Sequence, residues 1–317
     1  MRNACYAMIH KLAKRDNRVV FIGSDLSPGL LDEMKAEMPD RYFMEGISEA
    51  NIIGMAAGLA MEGYIPYVVT IGTFITRRCY EQIAIDLCLH NLPVRLIGIG
   101  GGLCYAPLGP THQPIEDITI MRALPNMSIV SVCDADEMKR MMSKTLTHPG
   151  PVYIRLAKGY DPVVSNNEDE FEIGKAIVMR HAKMSKNRVL FITTGVMTTR
   201  ALTAAEELAT HGIECSVLHM HTIKPLDINA LLKHASSTQL IVTLEEHTLV
   251  GGLGSACTEV LVDHLNPGEM PRIHRIGLPD QFVEDYGTQD SLMEQFGLQP
   301  HQISKKVISI MSERALK

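Results

Sequence analysis

The sequence has no tryptophan, and aromatic residues make up only 5% of its 317 residues. Its core must therefore be built from aliphatic side chains, with 19 methionines as adaptable fillers. No block of Lys and Arg could follow a phosphate backbone, and 30 basic residues against 36 acidic ones leave a net charge of −6. This charge pattern argues against nucleic acid as a partner.

Cysteine is also sparse and shows no pairing pattern. The seven cysteines form no CxxC motif, and an odd number in a chain of this size does not indicate a disulfide framework. Residues 1–14 mix charged and apolar side chains and lack the continuous apolar run of a signal peptide. No weakly polar run is long enough to span a bilayer. We therefore expect a protein of the reducing cytoplasm with no membrane role.

Short apolar runs with helical segments between them indicate the fold class. A length of 317 residues predicts two domains, and the polar stretch 165–172 is the best linker between them. The runs are continuous rather than alternating, which indicates strands buried on both faces of a parallel sheet. We therefore predict two open, mostly parallel-sheet α/β domains over residues 1–165 and 166–317. The predicted strands are 19–23, 66–70, 94–100, 128–132, 151–156, 188–195, 214–220, 239–246 and 272–277.

Several common catalytic motifs are missing. The sequence has no P-loop, no GxGxxG opening a first helix, no GxSxG and no HExxH, so kinase, simple dehydrogenase, hydrolase and zincin functions lose their usual support. Cys215, His219 and His221 could suggest a metal site. However, Cys215 and His219 lie too far apart on one predicted strand for a single tetrahedral site, which favours structural roles. The VGGLGS stretch 250–255 could hold an anion at a helix N-terminus, although tight strand-to-helix packing explains its glycines and is favoured.

Three other segments are candidate sites, because ligands of open α/β sheets lie beyond the carboxyl ends of the strands. In the first, residues 46–63, Ser48 can cap a helix rich in Gly and Ala that must pack closely against a neighbour. Glu49 then lies at a buried helix N-terminus. Spacing alone favours a structural role for Glu49, as a carboxylate that satisfies backbone amides.

The other two segments place rings near strand ends. In residues 72–83, Phe74 and Tyr80 fall near a loop-to-helix junction, where an aromatic ring can stack on a flat heterocycle or pack in the core. Spacing alone favours core packing for both. The loop 98–118 has five glycines and three prolines and holds His112 between two prolines. Long shaped loops of this kind usually carry function, so a site role and a structural role both stay open for His112.

Taken together, in this order and spacing, these segments resemble the pyrimidine-binding domain of transketolase and 1-deoxyxylulose-5-phosphate synthase. The resemblance continues through FIGSDLSP at 21–28, NNEDEFEIGKA at 166–176, HTIKPLD at 221–227 and LEEHTLVGGLG at 244–254, and it covers nearly the whole chain. It implies a thiamine-diphosphate pyrimidine-binding fold followed by a transketolase C-terminal domain. The sequence lacks the GDG motif of the diphosphate-binding domain, so it is similar to the C-terminal half of a transketolase made as a separate subunit.

The resemblance gives each candidate residue a role. It implies that Glu49 hydrogen-bonds N1′ of the aminopyrimidine and carries a proton near neutral pH, which helps to activate C2 of the thiazolium. Phe74 would stack on the pyrimidine, with Tyr80 as a further pocket residue. His112 would act beside the reacting carbonyl and the cofactor. Arg155 would bind a sugar phosphate through its forked guanidinium.

The implied function is that of one subunit of a split, thiamine-diphosphate-dependent transketolase. Such an enzyme transfers a two-carbon ketol unit from a ketose donor to an aldehyde acceptor. The resemblance implies a partner, an N-terminal subunit with a GDG motif that supplies the ligands for Mg²⁺ and the diphosphate, and an α2β2 assembly. This chain would supply no metal ligand.

Two residues depart from the transketolase pattern, and two alternative functions stay open. Leu108 stands where transketolases often have Asp before GPTH, and Gly29 stands at the position of a phosphate-binding serine, so donor identity and substrate phosphorylation stay open. One alternative is the beta subunit of a 2-oxoacid dehydrogenase, and the other is a non-catalytic scaffold subunit. The THQP loop and the HTIKPLD stretch favour transketolase over the dehydrogenase. The joint presence of Glu49, Phe74 and His112 argues against a scaffold.

Overall fold

The computed structural model of the chain describes residues 1–24, 26, 29–168, 170–183 and 188–312. It contains two sheets with helices packed on both. The strands are β1 (Val19–Gly23), β2 (Tyr42–Met44), β3 (Ile65–Ile71), β4 (Arg95–Ile99), β5 (Ser128–Ser131), β6 (Val152–Leu156), β7 (Ile177–Arg180), β8 (Arg188–Thr193), β9 (Glu214–His219), β10 (Thr222–Lys224), β11 (Leu240–Thr248) and β12 (Arg272–Leu278).

Twelve helices connect these strands within the described ranges. They are α1 (Arg2–Arg15), α2 (Asp32–Glu37), α3 (Glu49–Met61), α4 (Gly72–Arg77), α5 (Tyr80–Gln82), α6 (Asp117–Arg122), α7 (Ala135–Thr145), α8 (Met197–Thr210), α9 (Ile228–Ala235), α10 (Leu253–His264), α11 (Gln289–Gln295) and α12 (Pro300–Ser312). A π-helical stretch, Ile83–Leu89, follows α5. No helix in the described part of the chain is both long and apolar enough to cross a membrane.

The predicted α/β fold with two mostly parallel sheets is confirmed. The first sheet has seven strands in the order β10-β5-β6-β4-β3-β1-β2, and the second has five in the order β12-β11-β8-β9-β7. Among the strands of the described residues, β10 in the first sheet and β7 in the second run antiparallel to their neighbours, and the others are parallel. All nine predicted strands are present, and their central members are buried along their whole length. Burial on both faces explains why continuous apolar runs identified them.

Three strands were not predicted from the sequence: β2, β7 and β10. Each has only three or four residues and lies at the edge of a sheet, where one side of the strand has no neighbour. Edge strands of this length carry no continuous apolar run. The β10 strand comes from the HTIKPLD stretch in the C-terminal half, yet it extends the sheet of the N-terminal half.

The two halves of the chain therefore share both a sheet and a core. The amide of Ser131, at the end of β5, donates to the carbonyl of His221 at 2.7 Å, and the amide of Gly195 donates to the Ser131 carbonyl at 3.1 Å. One hydrophobic cluster includes buried side chains from both halves, among them Ile154 and Phe191. The predicted boundary at residue 165 is thus crossed by extensive packing.

Polar side chains at this junction are fully buried. His219 Nε2 lies 3.0 Å from Glu137 Oε2, and His219 Nδ1 lies 2.8 Å from the Thr198 hydroxyl. Among the described residues, Cys133 and Glu137 are the side chains that bring potential metal-ligand atoms close to His219, and Cys215 is not part of that group. Neither His219 nor His221 has any exposed surface, which agrees with structural roles for these two histidines.

The buried His221 ring predicts a pH-dependent stability. Its ring stacks on Phe171 with centroids 4.0 Å apart, and burial lowers the pKa of His221 from 6.5 to about 3. Between these values the unfolded chain binds a proton at this site and the folded chain does not, so acidification destabilises the fold.

We therefore expect His221→Phe, which keeps a flat ring on Phe171, to gain stability relative to the wild type as the pH falls from about 6.5 toward 4. The difference in the free energy of unfolding between the two chains should change by up to about 1.4 kcal/mol per pH unit. Urea unfolding of both chains at several pH values measures it. Parallel stability curves for the two chains would contradict the proton linkage.

Candidate active site

Glu49 is the first residue of α3 and is buried, with 5% of its surface exposed. The chain reaches α3 through Gly46, whose φ of +68° fits a residue without a side chain. Ser48 occupies the N-cap position as expected, but its hydroxyl donates to the Glu45 carbonyl at 3.0 Å and caps no helix amide. The expectation that the Ser48 side chain caps this helix is therefore wrong, because the tight turn before α3 uses the hydroxyl instead.

The partner of the Glu49 carboxylate is Arg78. Nη1 of Arg78 donates to both carboxylate oxygens, at 3.3 and 3.2 Å. The guanidinium carbon of the same side chain lies 3.8 Å from the centroid of the Phe74 ring. Arg78 is 47% exposed, so this ion pair has one buried and one solvent-facing member. Carboxylate, guanidinium and aromatic ring thus form one contiguous group.

Phe74 lies on α4, directly after the buried strand β3. The turn from β3 to α4 packs so closely on the following loop that a Cβ at Gly72 would lie 2.9 Å from Cγ of Pro114. Phe74 itself is half-buried and packs partly against the core. Its ring is therefore held in place by the core on one side and has a surface that other flat groups can contact.

His112 completes this group from the loop that follows β4. Its ring lies edge-on to Phe74, with centroids 5.1 Å apart. The His112 amide donates to the Gly109 carbonyl at 3.0 Å, and Nδ1 lies 2.8 Å from the Thr111 hydroxyl. Burial and the nearby charge of Arg78 lower the pKa of His112, so its imidazole is neutral at pH 7. The structure thus brings three predicted site residues, Glu49, Phe74 and His112, to one place.

Tyr80 lies in a different environment. Its hydroxyl donates to the carbonyl of Ile120 at 3.1 Å, and its half-buried ring packs against the second hydrophobic cluster. These contacts fix α5 against α6. A pocket role for Tyr80 stays a prediction without support from its contacts.

Arg155, on β6, is buried beneath the His112 loop. Its Nε donates to Asp117 Oδ2 at 2.8 Å, and its Nη2 donates to the carbonyls of Pro114 and Glu246 at 3.2 and 2.9 Å. It is 5% exposed, and within the described residues none of its hydrogen bonds involves Glu49, Phe74 or His112. The structure therefore does not bring Arg155 to the group around Glu49, and its contacts join the two halves of the chain.

The glycine-rich stretch 250–255 holds an anion that belongs to the chain itself. The Glu245 carboxylate accepts hydrogen bonds from the amides of Leu253 and Gly254, at 2.7 and 2.9 Å, at the start of α10. A Cβ at Gly252 would lie 2.0 Å from a Glu245 oxygen, so only glycine fits there. Burial raises the pKa of Glu245 to about 7. The stretch therefore shows close strand-to-helix packing, as favoured, and its helix N-terminus binds the carboxylate of Glu245 rather than a separate anion.

Models of two protein families match this chain. The transketolase pyrimidine-binding domain matches residues 1–161, and the transketolase C-terminal domain matches residues 179–303. The chain belongs to the transketolase family.

Similar proteins include separate subunits of transketolases. The chain is 36% identical over 304 residues to the 6-deoxy-6-sulfo-D-fructose transketolase subunit SqwH of Clostridium sp. (strain MSTE9), a match that covers 96% of this chain and 92% of that protein. It is also 36% identical over 309 residues to the 1-deoxy-D-xylulose-5-phosphate synthase of Acaryochloris marina, which covers 96% of this chain but 47% of that enzyme.

A solved structure described as "Split gene transketolase, inactive beta4 tetramer" superposes with a TM-score of 0.85 at 33% identity, over 97% of this chain and 96% of that one. This transketolase-family chain thus corresponds to the C-terminal subunit of a split transketolase, in a thiamine-diphosphate-dependent family. The relatives do not favour the dehydrogenase or the scaffold alternative.

The two departures from the transketolase pattern lie on loops. Leu108 ends a short 3-10 turn and is 48% exposed, so its apolar side chain faces solvent near His112. Gly29 has a φ of +85°, which suits glycine better than serine. Asp25, Ser27 and Pro28 of the neighbouring FIGSDLSP stretch lie outside the described residues.

Sequence reasoning missed Arg78, although a signal for it was present. Phe74 and Arg78 are four residues apart around a helix, a spacing that places two side chains on the same face. The double arginine at 77–78 lies in the same segment, 72–83, as Phe74 and Tyr80. The two arginines diverge in the structure, because Arg77 pairs with Glu116 instead.

The environment of Arg155 predicts a structural effect of its loss. Replacing one member of a buried ion pair leaves the Asp117 charge without a countercharge from Arg155 and removes one hydrogen bond from each of two carbonyls. Arg155→Met should therefore lower the free energy of unfolding by about 3–5 kcal/mol. Arg18→Met, which removes a solvent-exposed pair with Asp16, is the control and should change it far less. Equal unfolding midpoints in urea for Arg155→Met and wild type would contradict this role and reopen a site role for Arg155.

Proposed function

We propose that this chain supplies the aminopyrimidine side of a thiamine-diphosphate site in a split transketolase, which moves a two-carbon ketol unit from a ketose donor to an aldehyde acceptor. The observation that carries the proposal is the group of Glu49, Phe74 and His112, in which Arg78 links Glu49 to Phe74 and His112 contacts the Phe74 ring. A buried carboxylate, a half-buried aromatic face and a neutral imidazole meet there at the carboxyl ends of parallel strands. Such strand ends are where open α/β sheets bind ligands.

These side chains fit the aminopyrimidine half of the cofactor. Its heterocycle is flat and has hydrogen-bonding nitrogens on its edge, which suits the Phe74 ring and the Glu49 carboxyl group. Thiamine diphosphate, when bound, supplies the stabilised carbanion that ketol transfer requires. Glu49 would hold a proton toward the ring nitrogen, and His112, neutral and partly exposed, would contact the reacting oxygen as a proton donor or acceptor.

The diphosphate and Mg²⁺ would be held by a second subunit. The GDG motif that holds them in the family is missing from this sequence. Among the described residues, the group of Cys133, Glu137 and His219 has metal-ligand spacing, but it is fully buried at the domain junction. The separate-subunit relatives support the same division. We therefore propose that the chain alone is inactive and binds the cofactor weakly.

The substrates are sugars or sugar phosphates in this proposal. The name of one relative, a 6-deoxy-6-sulfo-D-fructose transketolase subunit, supports a ketose with an anionic substituent as one possible donor class. Arg155 is engaged in a buried ion pair, so an anionic group would need another cation. All seven cysteines are free, which suits a reducing compartment such as the cytoplasm and a role in carbohydrate metabolism there.

The role of Glu49 is tested by Glu49→Gln in the complex with the N-terminal subunit. The amide keeps the shape of the side chain but cannot transfer the proton, so turnover should fall by at least ~10²-fold. Exchange of the C2 proton of thiamine diphosphate, followed by NMR, should slow in parallel. Glu45→Gln removes an exposed carboxylate from the same loop and should leave both rates unchanged. Exchange at the wild-type rate in Glu49→Gln would exclude Glu49 from this role.

The outer face of α3 is the proposed assembly surface. Outside α3's own neighbouring backbone, no atom of the described chain lies within 4 Å of a Cβ placed at Gly54 or Gly58, so these two small residues face outward. Exposed apolar side chains occur on α3, on the segments next to it and on the π-helical stretch 83–89, which packs beside α3. They are Ile47, Met61, Tyr64, Ile85 and Leu89. We propose that this surface packs against a second subunit in an α2β2 assembly, with interfaces above ~2,000 Å².

Gly58→Glu tests the assembly surface. The new side chain enters open space and replaces a residue of low helix propensity, so the subunit should still fold, but its charge would be buried in the interface. Light scattering should show a smaller assembly, both for the chain alone and with its partner. Gly268→Glu makes the same change at another open position and should leave the mass unaltered. Equal masses for both variants would contradict this surface.

A further inference from the structure

Arg78 contacts the same two groups that the cofactor would need. One nitrogen of its guanidinium donates to both Glu49 oxygens, and the guanidinium carbon lies 3.8 Å from the centroid of the Phe74 ring. We propose that Arg78 occupies the aminopyrimidine position in the isolated chain and that the cofactor must displace it. This inference rests on the proposed function and adds a regulator of that site.

The shared chemistry of a guanidinium and an aminopyrimidine explains why one can take the place of the other. A guanidinium and an aminopyrimidine are both planar, both offer N–H donors at their edge, and both stack on aromatic rings. A carboxylate beside an aromatic face therefore recognises either group. The guanidinium also carries a positive charge, so it pairs with the carboxylate form of Glu49. The Glu49 carboxyl group can hydrogen-bond the edge of a pyrimidine only once the guanidinium has moved away, because Arg78 Nη1 contacts both of its oxygens.

Arg78 is held loosely enough to leave. It follows the last residue of the short helix α4, is 47% exposed, and has a long side chain that can turn into solvent. Its neighbour Arg77 is fixed differently, by the Glu116 carboxylate and by the Gln113 carbonyl at 3.4 Å. A partly exposed ion pair and one cation–π contact are both weak interactions. They therefore lower the affinity of the site for the aminopyrimidine without preventing its binding.

This arrangement gives a reason for weak cofactor binding by the isolated chain that is independent of the missing diphosphate ligands. Before assembly, the ion pair with Arg78 gives the buried Glu49 carboxylate a charged partner. The movement of Arg78 would also remove its charge from beside His112, whose pKa it lowers. Displacement of one side chain would thus change the electrostatics of both predicted catalytic residues.

The experiment measures the affinity of the full chain for 4-amino-5-hydroxymethyl-2-methylpyrimidine, which carries the aminopyrimidine without the diphosphate. Ligand-observed NMR titrations would compare wild type, Arg78→Met and Arg77→Met, with circular dichroism to verify folding. Methionine keeps an unbranched side chain but removes the guanidinium. Arg78→Met should bind the probe about threefold to thirtyfold more tightly than wild type. Arg77→Met should bind it as the wild type does.

Each alternative outcome has a distinct meaning. Equal or weaker binding by Arg78→Met would overturn the displacement proposal and leave the proposed function in place. Equal tightening in both arginine variants would also overturn it, because a general loss of positive charge would then explain the effect. Absence of binding to all three chains would contradict the pyrimidine surface itself, and with it both proposals.

Discussion

The buried ion pair between Arg155 and Asp117 holds together the parts of the protein that form the site. Arg155 belongs to β6 and Asp117 begins α6, while the same guanidinium also binds the carbonyls of Pro114 and Glu246. The loop that carries His112, the helix after it and the second sheet therefore meet at one cation. The Tyr153 hydroxyl donates to the same Asp117 oxygen at 2.7 Å and so ties it to β6 a second time. A charge buried this deeply is tolerated only when its partners are fixed.

A second buried acid, Glu246, extends this connection across the two halves. Its carboxylate accepts hydrogen bonds from the amide of Leu103 at 2.7 Å and from the Gln289 side chain at 2.9 Å. The glycine-rich loop after β4 is thus held at its start by Glu246 and near its end by Arg155. The described part of the C-terminal half thus helps to hold the loop that carries His112, through Glu246.

The sequence predicted the layers of the fold and the positions of three candidate site residues at strand ends, but not the polar contacts between the halves. Continuous apolar runs identified the central strands, since burial on both faces is visible in composition. The motifs placed Glu49, Phe74 and His112 correctly at strand ends, where topology brings them together. Arg155 shows the limit of that approach. The family resemblance implies a phosphate-binding cation at this position, but only the fold shows that Asp117, 38 residues earlier, and Glu246, 91 residues later, contact it.

The same limit explains Arg78 and Ser48. In both cases local geometry determines the partner of the side chain. The Ser48 hydroxyl donates to the Glu45 carbonyl, and of two adjacent arginines Arg78 pairs with Glu49 while Arg77 pairs with Glu116. Side chains at neighbouring positions on a helix point in different directions, so a single step in sequence changes the partner. A buried carboxylate needs a charged or hydrogen-bonding partner. The half-exposed guanidinium of Arg78 supplies one for Glu49, because it neutralises the charge without the cost of a permanently buried cation.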